Sequence, residues 1–130
     1  MNTTRKAKKA FSLVEVLAAV AILGIMAFLA LPNIVTMKTD SEENLAVARA
    51  EAVNMSIASY VQASGRNAAT TGWAGAANDQ ARYDLLTPYL AFAPAAFTDY
   101  MPSTYTVSLP AAIATLSKTG LVGPSGTINY

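Results

Sequence analysis

The chain has 130 residues, about the length of one domain, with no cysteine, no histidine, 26 alanines, 53% hydrophobic residues and 13% charged ones. Without Cys or His there is no disulfide framework, thiol nucleophile, Ser-His-Asp triad or ordinary zinc site, and the apolar content argues against a disordered chain. The formal net charge of +1 is uneven: Arg5, Lys6, Lys8 and Lys9 stand in an acid-free first ten residues, while the remainder carries five basic residues against eight acidic ones, so the basic balance belongs to that tip and is no footprint of nucleic acid.

Residues 11–32 read FSLVEVLAAVAILGIMAFLALP, with Glu15 as the single charge. Twenty-two helical residues span about 33 Å, close to the hydrocarbon thickness of a bilayer. Four cations precede the run and Lys38 is the first to follow it, so the positive-inside rule predicts residues 1–10 in the cytoplasm and the C-terminal part across the membrane. The weaker reading is a removable secretory signal. It suffers because the run is long, is charged near its start, and lacks a small residue at −3 of the best site, Ala27-Phe28-Leu29-Ala30.

A carboxylate inside a bilayer costs about 2.5–3.5 kcal/mol on insertion scales, so such groups are usually retained for a purpose and paired. Glu15 has two readings on position alone: an intramembrane group that needs a partner, or an interfacial one that snorkels to the headgroups. A cut before Phe11 would create an α-amine four residues upstream of it. That cation is able to pair with the carboxylate of a neighbouring helix.

Lys8-Lys9-Ala10-Phe11-Ser12-Leu13-Val14-Glu15, followed by the apolar run ending at Pro32, resembles the N-terminus of the type IV pilin and type II secretion pseudopilin superfamily. The resemblance is specific over the first 32 residues and architectural to about residue 65. It implies a pilin-like α+β fold, a long N-terminal helix packed on a small antiparallel sheet. It implies a leader over residues 1–10, cut by a prepilin peptidase between Ala10 and Phe11, with methylation of the new Phe11 amine. Glu15 would then guide assembly by pairing with that amine on an adjacent subunit. The family usually has Gly just before the cut, where this chain has Ala10, the smallest substitution available.

Pro32 lacks an N–H and is expected to kink the helix where it leaves the bilayer. Gly24 reads equally as a close-approach point or as a tolerated transmembrane glycine. Residues 33–64 contain no further Pro or Gly and read as an amphipathic helix. Leu45, Ala48, Ala52, Met55 and Ser59 form a narrow stripe, broadened by Ala46, Val53, Ile57, Tyr60 and Val61, and Gly65 is the stop. Thr39-Asp40-Ser41-Glu42 fits a capping box, so the expectation is one long helix weak near residues 36–40, or two nearly collinear pieces. A continuous helix over residues 11–64 would extend about 81 Å.

Residues 65–130 are expected to form a small C-terminal globular region on that helix. Residues 65–77 are small and polar apart from Trp73 and read as a loop, with Trp73 as its packing anchor rather than a ligand-stacking residue. Asn78 or Asp79 caps a short helix to about Leu86, ended or bent by Thr87-Pro88. Residues 91–102 are apolar, Pro-punctuated and read as an ordered loop. Tyr105-Thr106-Val107-Ser108-Leu109 is the best strand; residues 113–117, Leu121-Val122 and residues 127–130 are weaker ones, giving a sheet of two to four strands packed on the helix stripe. Gly120, Gly123 and Gly126 read as turns, not a phosphate loop. Asp99 is the last acidic residue, so the tail cannot build a carboxylate-rich calcium site of its own.

Three functions compete. The leading one is a structural subunit of a type IV pilus-like or type II secretion pseudopilus filament in the bacterial inner membrane, with other pilin or pseudopilin subunits, prepilin peptidase, an assembly platform with its ATPase, and membrane lipid as partners. Its N-terminus is expected in the cytoplasm, and its later location in a periplasmic or cell-surface filament. The second is a minor pilin acting as a binding module for DNA uptake or surface adhesion, using Arg66, Arg82 and Lys118 with Trp73, Tyr83, Tyr89 and Tyr105; scattered cations in an acidic remainder disfavour nucleic acid. The third is a membrane-anchored enzyme using Asp79, Asp84 or Asp99, none of which has an evident base, nucleophile or metal partner. No catalytic residue, cofactor or metal is expected.

Overall fold

A computed structural model describes residues 10–130; Arg5, Lys6, Lys8 and Lys9 lie outside the described residues. The fold is α+β: a long helix α1 (Leu13–Ser64), helices α2 (Arg66–Gly75) and α3 (Asp79–Leu86), two short 3-10 turns (Thr87–Tyr89 and Phe97–Asp99), and strands β1 (Thr106–Ser108), β2 (Gly120–Gly123) and β3 (Gly126–Ile128). The chain divides into a first unit through Lys38 and a second, Thr39–Tyr130.

α1 continues through Pro32 and through residues 36–40. The Thr39–Glu42 pattern therefore starts no new helix, because an N-cap needs non-helical backbone and here the preceding turn is already helical. At Pro32 the ring removes one backbone donor, and the Thr36 hydroxyl donates to the Pro32 carbonyl at 3.0 Å.

The second unit is built on one face of α1, made by Ala46, Ala50, Val53, Ile57 and Tyr60, all buried. Ala46, Val53, Ile57 and Tyr60 belong to the expected stripe as its broadening residues, whereas its centre is displaced: Leu45 and Met55 are 46% and 71% exposed, and Ala50 joins the face instead. Small alanines let the rest of the unit approach the helix closely, and aromatic rings then fill the space. Tyr60 meets Trp73 and Tyr89 with ring centroids 6.5 and 6.2 Å apart, and Tyr83 meets Phe97 and Tyr100 at 5.1 and 5.8 Å. Their polar tips find acceptors: Trp73 Nε1 donates to the Pro110 carbonyl and the Tyr83 hydroxyl to that of Pro94, both at 2.9 Å.

Most of the expected loop over residues 65–77 is the helix α2, Arg66–Gly75. Gly65, at φ 79°, breaks α1 in a conformation that glycine adopts freely. α2 then forms because Ala69 and Trp73, four residues apart, are both buried. The Thr70 and Thr71 hydroxyls donate back to the Arg66 and Asn67 carbonyls. α3 starts as expected, with Asn78 Oδ1 accepting from the Ala81 N–H at 2.8 Å.

The sheet is antiparallel in the order β1-β2-β3. Register places Val107 opposite Leu121 and Leu121 opposite Ile128, one cross-strand row facing the core. Gly126 closes the β2–β3 hairpin at φ 118°. Residues 113–117 form no strand; Ile113 is buried there as a plug from irregular backbone. A polar knot ties the sheet to α1. Asn54 Oδ1 accepts from the Thr119 N–H at 2.9 Å, Asn54 Nδ2 donates to the Tyr130 hydroxyl at 3.3 Å, and that hydroxyl donates to the Thr119 carbonyl at 2.7 Å. Lys118 Nζ reaches Glu51 at 2.9 Å and the Tyr130 carbonyl at 2.6 Å. The Lys118 hydrogen bond holds the Glu51 carboxyl below its usual range.

Candidate functional site

Ala10, Phe11 and Ser12 precede the first turn of α1 in non-helical, exposed backbone. A peptidase needs a reachable bond outside regular structure, and Ala10 and Phe11 are both non-helical and exposed. Phe11 is 86% exposed.

Helix geometry starts immediately after. The Val16 N–H donates to the Ser12 carbonyl at 3.2 Å. The Glu15 N–H donates to Ser12 Oγ at 3.2 Å, while the Ser12 N–H donates to Glu15 Oε2 at 3.1 Å. This is a reciprocal capping box, two N-terminal donors satisfied by two side chains. The sequence reading missed it, although Ser12-Leu13-Val14-Glu15 carries the S-x-x-E signal. The box gives Glu15 a structural duty inside its own chain. A carboxylate has about four acceptor positions and this contact uses one, so the group retains capacity for a cation.

Phe11, Glu15 and Ala19 recur at spacings of four and, with Val16 and Val20, line one open face at the start of α1. From Phe11 to Met37, sixteen large apolar side chains are between 48% and 86% exposed. At about 1.5 kcal/mol each as a lower figure, leaving them in water would cost more than the ~5–15 kcal/mol by which an ordinary domain is stable. This segment is long and apolar enough to cross a membrane, and Gly24 has open space around it.

The alternative sites do not assemble. Of the four aromatics in the binding-module reading, Trp73, Tyr83 and Tyr105 are 1%, 0% and 5% exposed and offer no stacking platform to a single strand, while Tyr89 is 39% exposed and packs edge-on against Tyr60. Arg66 donates to the Ala114 carbonyl, Arg82 pairs with Asp79 at 3.0 Å and lies over the Trp73 ring, and Lys118 is engaged by Glu51. Of the acids, Asp79 serves Arg82 in the first turn of α3, and Asp84 accepts from Gln80 at 2.8 Å. Asp99 lines a cleft with Arg49 and Tyr100. Among the described residues no group of three or more Asp or Glu is placed to hold a metal ion.

Residues 5–31 match the prokaryotic N-terminal methylation motif. No curated protein and no solved structure matches the chain.

Proposed function

From residues 5–31, which carry the methylation motif that is the signature of type IV pilin and pseudopilin precursors, we propose that the chain is a structural subunit of a pilus-like or pseudopilus filament. The motif implies processing by a prepilin peptidase and assembly with other pilins. The apolar helix is consistent with membrane anchoring. In this reading residues 1–10 are a cytoplasmic leader, residues 11–32 hold the subunit in the inner membrane, and Pro32 bends the helix at its exit.

The observation that carries the proposal is the coincidence of three features within six residues: an exposed Ala10–Phe11 segment, the start of a helix exposed on all sides, and Glu15, the single charge of residues 11–32. Cutting the bond converts the Phe11 amide nitrogen into an ammonium. The capping box uses only Ser12 and Glu15, both retained after the cut, so the mature helix starts with its backbone satisfied. The remaining acceptor capacity of Glu15 then takes the Phe11 amine of a neighbouring subunit, a charge-assisted contact strengthened where water is excluded. Packing of apolar helices against one another supplies the rest, and an assembly platform with its ATPase performs the extraction from lipid.

Mass spectrometry of the N-terminus of the native protein tests this directly. A start at Phe11 bearing one methyl group is expected; an intact leader on a soluble monomer overturns the reading.

A further inference from the structure

The turn following the Thr87–Tyr89 segment contains the one non-glycine residue with positive φ among the described residues, Phe92 at 54°. L-residues with a bulky side chain avoid this left-handed region, and a turn that requires it ordinarily takes Gly or Asn. Phe92 is also 103% exposed. The fold therefore holds an aromatic ring outward on strained backbone and obtains no burial from it. Strained residues of this kind cluster at binding and switch sites.

The same unit contains an apolar cleft that Phe92 does not line. It lies beside β1, an edge strand, and is walled by Phe97, Met101, Pro102, Tyr105 and Val107 with the hydroxyl-bearing Thr98, Ser103 and Thr106, with a volume of about 190 Å³. A cavity of about 150 Å³ lined by apolar side chains is enough to hold a benzene ring. No charged residue lines the cleft, and none occurs between Asp84 and Asp99 in the stretch that carries Phe92. The cleft is uncharged, mostly apolar and large enough for the ring.

We propose that Phe92 of one copy of this chain inserts into the Phe97–Val107 cleft of the next copy. This rests on the filament reading above and adds to it a contact between second units, distinct from the contact between N-terminal helices. Ring and cleft are different patches, so the contact is heterologous and propagates head to tail. Aromatic anchors seated in pockets dominate such interfaces.

The test uses the full chain in cells that assemble it. The chain has no cysteine, so every disulfide reports an introduced pair. Co-produced Phe92→Cys and Ser103→Cys chains, Ser103 being on the cleft wall, are expected to give a mixed disulfide dimer in sheared filaments, and the double variant a ladder of multimers. Phe92→Ser is expected to reduce filament yield about tenfold, as loss of an interface anchor does, with thermal unfolding unchanged and Phe92→Trp restoring yield. Abundant filaments with no 92–103 dimer, with 92–92 dimers only, or with wild-type yield from Phe92→Ser overturn the contact and leave the filament reading standing. A photoreactive maleimide on Phe92→Cys that labels lipid and not protein assigns the ring to the membrane and overturns the contact as well. Absence of filaments from the wild-type chain, scored by electron microscopy, overturns the filament reading; 92–103 dimers missing from the membrane fraction then overturn the contact too.

Discussion

Two stretches of the same helix use similar residues in opposite ways. Between Leu13 and Met37, α1 is almost entirely apolar and no described side chain is buried; between Ala46 and Tyr60 it is less apolar, and one face is closed against aromatic rings. The second stretch completes its core with partners from its own chain. The first has none among the described residues of its own unit, which is consistent with membrane anchoring. Burial, not hydrophobicity, separates the part of the molecule that folds alone from the part that awaits company.

The sharpest way to break this contrast is Glu15→Ala. Removing one member of a charge pair in a dry interface costs about 3–5 kcal/mol, so filament yield is expected to fall on the order of a hundredfold while the chain still fractionates with membranes. Normal yield would remove Glu15 from assembly. The complementary lesion is Trp73→Ala, in the second unit alone. Loss of a fully buried Trp costs about 3–5 kcal/mol; near-UV circular dichroism and the midpoint of thermal unfolding should both drop, with membrane insertion unaffected.

A smaller lesion sharpens the first stretch. Ser12→Ala deletes the acceptor of the Glu15 N–H and is expected to cost about 1 kcal/mol in the first turn, read as faster amide exchange at Glu15 in micelles. Unchanged exchange would mean that the box does not hold the helix start.

The smallest effect is on pH dependence of the second unit. Glu51 has its pKa lowered by Lys118, so its contribution is present above the ordinary carboxylate pKa of about 4.5 and is lost as pH falls through the lower folded value. Glu51→Gln should flatten that acid limb of a denaturation profile. Burial raises the phenols of Tyr83 and Tyr100, so the stability they contribute is present below about pH 10 and declines as pH rises through the folded values. Glu51→Gln should leave this alkaline limb unchanged.

Much of this arrangement is legible from residues alone, and the failures have physical causes. The long helix, its stop at Gly65, the Asn78 cap and the strand around Val107 follow from local signals: periodicity, a glycine, a short polar side chain, alternation. The core face of α1 is legible at Ala46, Val53, Ile57 and Tyr60, but not its centre: Leu45 and Met55 outrank Ala50 in hydrophobicity, whereas close packing against the rest of the unit selects the small residue. α2 was missed because its two glycines and two threonines are poor helix formers, overridden by burial of Ala69 and Trp73. The box at Ser12 and its decoy at Thr39 share one pattern, and only helical context separates them.

The knot of Asn54, Thr119 and Tyr130, with Lys118 reaching Glu51, holds residues 118–130 to α1 with hydrogen bonds and one ion pair and without any cross-link of sulfur. Its formation calls for no oxidant, no isomerase and no particular thiol poise. The second unit should therefore fold as quickly in a reducing buffer as in an oxidising one.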